Sequence, residues 1–359
     1  MCSLFGLIDF KGVLNTHTKN KILNTLAREC QVRGTDATGI AYNFNDRLRI
    51  YKRPIPARKI KIHIPHGVNV VMGHTRMTTQ DNAQFNQNNH PFLGHVDSGA
   101  FALAHNGVLW NDKELRATEN LPQTSVETDS YVAVQLLEQQ KTLDFDSLKA
   151  MSEKVEGSFV FTVLDKDNSI WFVVGDNPLC IMFYDGYLLY ASTQEILCKT
   201  IKKHGCKLII DAQGELLQEA LGCEPDFVKP NIFELAEAVG DKPSADPEVV
   251  VHSARKMLDM GAKAVCVSMG QEGALLTAKD EPESLYVTTT PKIYDEGAVG
   301  TGDAMVGAIA NAMHAGMKFD EVARYAVAMG RACARLAGTE MASLKKVYEV
   351  YETTQVYVL

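Results

Sequence analysis

Cys2 concentrates more chemistry than any other position in this chain. Once Met1 is removed, one residue carries both a thiol and a free α-amine. An α-amine titrates near neutrality, with a pKa of roughly 7.7–8.0. It can take the proton of its own thiol, directly or through a water, as an N-terminal amine activates threonine. Nucleophile and base then share one residue, with no separate histidine. A cysteine at position two, taken alone, reads more simply as a small buried residue opening a strand.

A second set of candidates lies downstream. Val299-Gly300-Thr301-Gly302-Asp303-Ala304 places glycines just ahead of a long helical pattern. Backbone N–H groups at such a terminus, reinforced by the helix dipole, form an anion site. Asp303 there can take the proton of an attacking hydroxyl. Asn231 and Glu234 stand one helical turn apart and can organise hydrated Mg²⁺. Ser268-Met269-Gly270-Gln271-Glu272-Gly273 adds a strand and a glycine-bearing turn. The plainer reading of a lone GxGD is a tight turn with an aspartate at a helix start. His63 and His66 form an HxxH with no further ligand set, so no metal is expected there.

Further motifs follow Cys2 in a fixed order. They are Ser3-Leu4-Phe5-Gly6-Leu7-Ile8, Arg33-Gly34-Thr35-Asp36-Ala37-Thr38-Gly39, Gly73-His74-Thr75-Arg76-Met77-Thr78-Thr79, Asn89-His90-Pro91-Phe92, His105-Asn106-Gly107 and Glu127-Thr128-Asp129-Ser130. Together they resemble the class II glutamine amidotransferases, a branch of the N-terminal-nucleophile hydrolases, from Cys2 to about Lys203. The resemblance implies a four-layer αββα domain that hydrolyses the side-chain amide of L-glutamine through a Cys2 thioester, giving glutamate and ammonia. It implies that the Asn106 side chain and the Gly107 N–H form the oxyanion hole. Arg76 would pair the α-carboxylate, Asp129 the α-ammonium, and Thr79 would add a hydroxyl near the carboxylate. Arg33, counted with the glutamine-binding set, and Asp36 would fix the loop beside Cys2. Without the resemblance, Asn106-Gly107 is a turn, Arg76 a surface ion pair and Asp129 a helix-terminal charge. Many members have a glycine where this chain reads Thr79-Gln80-Asp81-Asn82. No cofactor is required for this glutaminase step. The acceptor of the ammonia is not identified downstream.

Asp211-Ala212-Gln213-Gly214, Val228-Lys229-Pro230-Asn231-Ile232-Phe233-Glu234, the Ser268–Gly273 turn and the Gly300–Asp303 segment resemble, in that order, the ribokinase-like (PfkB) sugar kinases. The wording around Lys229 leans toward 1-phosphofructokinase and tagatose-6-phosphate kinase. Thr301 stands where that family more often has alanine. The resemblance implies that Ser268, Gly270, Gly273, Gly300, Thr301 and Gly302 line a Mg-ATP site. It covers residues 204–359 only, the C-terminal half of such a kinase, and so leaves out the part that holds a sugar. An ATP-dependent sugar-phosphate kinase is the rival reading of the chain. A non-catalytic fusion of two domains is the third.

Two textures must position these groups. Residues 68–74, 101–104, 159–164, 170–174, 179–184 and 187–191 read as strands, with Asp185-Gly186 as a hairpin turn. Residues 18–31, 128–139 and 144–155 read as helices. From about 204 onward, short parallel-type strands alternate with helices: 207–211, 216–221, 227–229, 233–239, 264–268, 304–315 and 319–336. The expected division is therefore 1–203 and 204–359, the second part an incomplete α/β Rossmann-type domain. A parallel sheet cut in half leaves an edge that the first domain, another copy or a partner chain must cover.

With 359 residues the chain suits two domains. Its net charge of −8 argues against nucleic-acid or anionic-membrane binding. Eight scattered cysteines without a CxxC pair, and no signal-peptide pattern, point to a cytoplasmic protein.

Overall fold

The computed structural model describes residues 2–78, 82–289, 300–336 and 340–359. Within them the chain divides into two units, Met1–Gly205 and Cys206–Leu359.

The elements of the first unit, in chain order, are β1 (Ser3–Ile8), α1 (Thr16–Glu29), β2 (Ala37–Phe44), β3 (Arg47–Arg53), β4 (Val70–Arg76), β5 (Phe92–Val96), β6 (Gly99–Leu109), α2 (Asp112–Thr118), α3 (Tyr131–Gln140), α4 (Phe145–Lys154), β7 (Gly157–Leu164), β8 (Ile170–Val174), β9 (Cys180–Tyr184), β10 (Tyr187–Ala191) and α5 (Gln194–Lys203). They build one sheet of order β3-β2-β4-β1-β10-β9 and a second of order β5-β6-β7-β8. The pairings are antiparallel.

Period-2 alternation explains how both faces of these sheets are buried. Leu4, Met72 and Tyr190 of the first sheet share a core with Ala102, Ala104, Val160 and Leu164 of the second. The intervening Phe5, Leu7 and Val71 are buried as well, on the face where α1 and α5 pack. The other face of the second sheet buries Phe92, Leu103, Phe161 and Val163 against Val132, Leu136, Leu148 and Met151 of α3 and α4.

Two sequence expectations change here. The helix expected from residue 128 starts at Tyr131, so Asp129 sits in the turn before it. His105-Asn106-Gly107 is not a turn. It lies inside β6 and pairs with β7, Asn106 opposite Val160 and Gly107 opposite Phe159. Gly107 has φ +150, and a Cβ there would meet the Ser158 carbonyl oxygen at 1.9 Å. Glycine is present to let two strands approach, which a local reading of Asn-Gly takes for a turn.

One buried ion pair ties the far end of β1 to its neighbours. Lys19 Nζ lies 2.9 Å from Asp9 Oδ2, and both side chains are almost wholly enclosed. The Asp9 carboxylate also accepts from the backbone N–H groups of Val13 (2.9 Å) and Leu14 (3.0 Å). Lys19 Nζ also donates to the Val68 carbonyl and to Asn69 Oδ1. Burial alone would raise the Asp9 carboxyl; the bond from Lys19 and the two backbone donors outweigh it and hold the group below its ordinary value.

The second unit contains β11 (Ile209–Ile210), α6 (Gly214–Leu221), β12 (Phe227–Val228), α7 (Ile232–Val239), α8 (Pro247–Asp259), β13 (Ala264–Ser268), β14 (Ala274–Ala278), β15 (Leu285–Thr289), α9 (Thr301–His314), α10 (Phe319–Ala334), α11 (Leu344–Glu352) and β16 (Thr354–Val358). They form one sheet in sequential order from β11 to β16. Cys266, Leu276, Leu285 and Val287 pack against Met305, Ile309, Val322, Ala326 and Val347 of α9, α10 and α11. The α7 and α8 helices contact β13 from the other side of the chain crossover. The expectation of parallel strands holds only for β11-β12-β13. From β13 to β16 the pairing is antiparallel: short turns rather than crossover helices join β13, β14 and β15, and β16 returns against β15 after α9, α10 and α11. Thr301, Gly302 and Asp303 are not ahead of the long helix but form its first turn, with Gly300 as its left-handed cap at φ +82.

Removing one partner of the Asp9–Lys19 pair strands a buried charge. Lys19→Met or Asp9→Asn should each cost about 3–5 kcal/mol in denaturant unfolding. The double variant should recover part of that loss. Single variants within about 1 kcal/mol of the parent would show the pair to be dispensable.

Candidate functional site

Strand register builds the candidate site. Ser3 pairs with Thr75 and Ala37 with Arg76, so the start of β1, the start of β2 and the end of β4 lie together. Cys2 then falls beside Arg76, and its Sγ donates to the Met77 carbonyl at 3.6 Å. Arg33 Nε donates to the Cys2 carbonyl at 3.2 Å. Asp36 grips the same segment: its N–H donates to the Arg76 carbonyl at 2.9 Å, and its Oδ2 accepts from the Thr78 N–H at 2.8 Å. The sequence placed Arg33 and Asp36 near Cys2 as supports, and the geometry brings both to this turn.

Cys2 is buried, with 9 % of its surface exposed. Burial pushes its thiol up. The Met77 bond and the nearby Arg76 guanidinium oppose that shift, and Asp129 adds to it. The sulfur therefore sits in the fields of both groups proposed for the two ends of a glutamine. A thiol raised by burial needs a base to ionise.

Arg76 is itself buried. Its Nη1 donates to the Asn88 carbonyl (2.6 Å) and to Asn89 Oδ1 (2.8 Å). The Asp129 carboxylate accepts from the Leu109 N–H at 2.7 Å and from Ser130 Oγ at 3.2 Å. A carboxylate has about four lone-pair sites, so this bonding fixes Asp129 and still leaves acceptor capacity. Asn88 links the two regions. Its Nδ2 donates to Glu127 Oε2 and its Oδ1 accepts from the Glu127 N–H, while its carbonyl accepts from Thr128 Oγ1 at 2.8 Å. Nothing in the residue spacing marks Asn88 or Glu127 for this role. Thr79 lies outside the described residues.

Asn106 is 1 % exposed, and its Nδ2 has no hydrogen-bond partner among the described residues. An orphaned buried amide costs free energy comparable to a lost hydrogen bond. Its backbone is held: the Asn106 carbonyl accepts from Asn177 Nδ2 at 3.0 Å. His74 Nε2 bonds the carbonyl of His105 at 2.9 Å, joining β4 to β6 one residue before Asn106. Asn106, Gly107, Arg76 and Cys2 thus share linked strand ends.

The pocket in the second unit has a volume of about 430 Å³. Asn231, Ser268, Gly270, Gly273, Thr301 and Gly302 line it. Gly300 caps α9 beside it. Asp303 and Glu234 are not among its lining residues. Two cations that spacing did not mark, Lys229 and Arg331, also line it. Lys229 Nζ lies 3.3 Å from Asp211 Oδ1, and Arg331 Nη2 donates to the Gly270 carbonyl at 2.9 Å. A Cβ added at Gly302 would come within 3.3 Å of Lys229 Nζ. The helix start, the bare glycine and the buried ammonium together suit a phosphate group.

The expected magnesium pair is corrected. Asn231 Oδ1 accepts from the N–H groups of Phe233 and Glu234, and Glu234 Oε2 accepts from the Asn231 N–H. This is a capping box on α7, which satisfies orphan donors at a helix start. Among the described residues no cluster of three or more His, Cys, Asp or Glu side chains could hold a metal ion, and no helix is long and apolar enough to cross a membrane.

Three buried histidines crowd the first site. The rings of His74 and His90 lie 4.3 Å apart, and His105 Nδ1 bonds Ser130 Oγ at 2.7 Å. Burial pushes His74 down to about 3, with Arg76 adding to the shift. It pushes His105 down to about 4 against the pull of Asp129, and it drives His90 well below its ordinary value. In the unfolded chain each titrates near 6.5. Between about pH 4 and 6.5 the unfolded state therefore binds more protons, so stability rises with pH across this window and is lost as pH falls through it. The urea midpoint of this unit should drop steadily from pH 7 to pH 4.5, and His105→Gln should flatten the slope. A level midpoint across that range would show that these rings are not held neutral.

Two family models match the chain. One, described as a glutamine amidotransferase domain, covers residues 74–199. The other, described as the pfkB family of carbohydrate kinases, covers residues 189–346. The two overlap over β10 and the start of α5. Among curated relatives, ATP-dependent 6-phosphofructokinase isozyme 2 of Escherichia coli is 32% identical over 43% of this chain and 50% of its own length. The 1-phosphofructokinase of Bacillus subtilis is 31% identical over 40% of this chain and 46% of its own length. A glutamine–fructose-6-phosphate aminotransferase (isomerizing) of Staphylococcus epidermidis is 28% identical over 57% of this chain and 34% of its own length. The chain spans about half the length of the phosphofructokinases it matches and about a third of the aminotransferase. The chain thus matches a glutamine amidotransferase domain over 74–199 and the pfkB family of carbohydrate kinases over 189–346.

Proposed function

We propose that the first unit is a class II glutamine amidotransferase of the N-terminal-nucleophile type, releasing ammonia from L-glutamine. The observation that carries this reading is the strand register that sets Cys2 at the end of β4 beside Arg76, its Sγ donating to the Met77 carbonyl at 3.6 Å. The two facing sheets with helices on their outer sides support the four-layer architecture that such an enzyme uses.

The chemistry follows from the side chains. Arg76 pairs the substrate α-carboxylate and Asp129 its α-ammonium, which fixes the side-chain amide over Cys2. The α-amine of Cys2, free once Met1 is removed, takes the thiol proton, and Sγ attacks the amide carbon. The developing oxyanion is held by Asn106 Nδ2 and the Gly107 N–H. Among the described residues Asn106 Nδ2 has no hydrogen-bond partner, which leaves it available to donate. Such preorganised donors are worth roughly 2.7–4 kcal/mol each. The ammonium of Cys2 returns its proton as the C–N bond breaks and ammonia leaves. Water then cleaves the Cys2 thioester to give glutamate.

The electrophilic analogue 6-diazo-5-oxo-L-norleucine should add once, at Cys2, in protein whose intact mass shows loss of Met1. Cys2→Ala should abolish both labelling and ammonia release. Labelling that persists in Cys2→Ala would remove Cys2 from this role. Arg76→Ala and Asp129→Ala should each lower kcat/KM for glutamine by about tenfold or more, near 1.4 kcal/mol.

A second reading concerns the other unit. Lys229, the α9 start and the Gly302 approach favour binding of a nucleotide phosphate in the 430 Å³ pocket. Magnesium would arrive with the nucleotide rather than on Asn231 and Glu234, which cap α7. Mg-ATP binding by calorimetry should be weak, and assays with fructose 6-phosphate, fructose 1-phosphate or tagatose 6-phosphate should stay at background. Turnover of any of these sugars that disappears in Asp303→Ala would overturn this reading.

A further inference from the structure

One half-buried cation of the first unit has no role in the steps above. Lys52 lies on β3, and its Nζ donates to the carbonyl of Asn89 and, at 3.1 Å, to that of Pro91. The same ammonium stands 5.0 Å over the Phe92 ring. The Lys52 carbonyl in turn accepts from Asn86 Nδ2 at 3.1 Å. One residue therefore laces the whole 86–92 segment to the sheet. Burial, with Arg76 close by, pushes Lys52 down to about 8, so a cation persists there at pH 7.

Burying an ammonium against carbonyls is costly, and a hydrophobic residue would fill the space at less expense. What the arrangement achieves is alignment. Asn89, whose carbonyl Lys52 grips, presents its Oδ1 to Arg76 Nη1 at 2.8 Å, and Asn88 presents its carbonyl to the same nitrogen at 2.6 Å. The guanidinium is aimed by two adjacent residues, and the strap that carries them is pinned by Lys52. We propose that Lys52 is a positioning residue for glutamine binding, holding the Asn88–Asn89 strap that orients Arg76 toward the substrate carboxylate. The proposal rests on the glutamine reading given above. It predicts a loss confined to substrate binding, because among the described residues no hydrogen bond joins Lys52 or the strap to Cys2 or Asn106.

The test uses the full chain. Lys52→Met should raise KM for L-glutamine about tenfold while kcat stays within about threefold of the parent, and Lys52→Arg should restore most of the affinity. Iodoacetamide carries no carboxylate, so it should alkylate Cys2 at the parental rate in Lys52→Met. Labelling by 6-diazo-5-oxo-L-norleucine, which does carry one, should slow by about tenfold. An unchanged KM, or equal slowing with both reagents, would overturn the proposal. Should Lys52→Met fail to fold, Asn89→Ser removes the acceptor facing Arg76 and leaves both carbonyls for Lys52. It must then show the same rise in KM, and a parental KM there refutes the proposal. If the parent protein releases no glutamate and its Cys2 resists the diazo analogue, the glutamine reading itself fails and this inference falls with it. A parent that is active beside unaffected variants refutes the inference alone.

Discussion

The antiparallel register between β1 and β4 is the constraint on which the first unit depends. With Ser3 opposite Thr75, the residue before β1 meets the end of β4, and Cys2 arrives beside Arg76. Side chains alternate with a period of two, so a slip of one residue would turn Leu4 and Met72 away from the inter-sheet core and carry Cys2 to the opposite face. The hydrophobic pattern that fills the core is therefore the same device that delivers the thiol. The buried Asp9–Lys19 pair pins the other end of that strand. An ion pair in such a place contributes less through net attraction than through the cost of every alternative register, each of which would leave one charge buried alone.

Around that register the first unit encloses polar groups that only close bonding can make tolerable. Arg76 is held by Asn88 and Asn89, Asp129 by Leu109 and Ser130, and the three histidines are kept neutral by burial. A neutral histidine cluster beside a guanidinium avoids adding repulsion to the charge that, in the glutamine reading, pairs a carboxylate. Asn106 Nδ2 is unpartnered among the described residues, as are His90 Nδ1 and Nε2, Ser3 Oγ and Thr78 Oγ1; of these it is the donor that the glutamine reading sets against a developing oxyanion.

Much of this could be read from residue order, and the misses share a physical cause. Cys2, Arg76, Asp129 and Asn106 could be singled out as candidates because the chemistry proposed for them is carried by their own side chains and their motifs stand in order. The role of Asn88 depends on its carbonyl accepting from Arg76 and Thr128, and any residue type has a carbonyl. Lys52 looks like one more basic residue on the edge strand Arg47–Arg53, and only the packing of the 86–92 segment against it shows its ammonium bonded to the Asn89 and Pro91 carbonyls. Asn106-Gly107 reads as a turn because local propensity favours one, yet strand pairing with β7 overrides it. Asn231 and Glu234 illustrate the reverse error. A carboxylate and an amide three residues apart at a helix start suit a hydrated metal, but they suit the orphan N–H groups of that helix better, and those donors are always present.

The second unit reaches its site by other means. Its pocket takes positive potential from the start of α9 and from Lys229 and Arg331, whereas the first site sets neutral rings and fixed amides around the Arg76 guanidinium, with Arg33 on the Cys2 carbonyl. Its sheet also departs from the half of a parallel sheet that the alternation of strands and helices suggests. The parallel portion ends in β11, only Ile209–Ile210, and such a short edge offers few unpaired backbone groups to an intruding strand. The turns from β13 to β15 fold the rest of the sheet back on itself, so most strands find partners within the unit. The pocket beside β13 and α9 is thereby supported by a sheet whose strands find their partners within the unit.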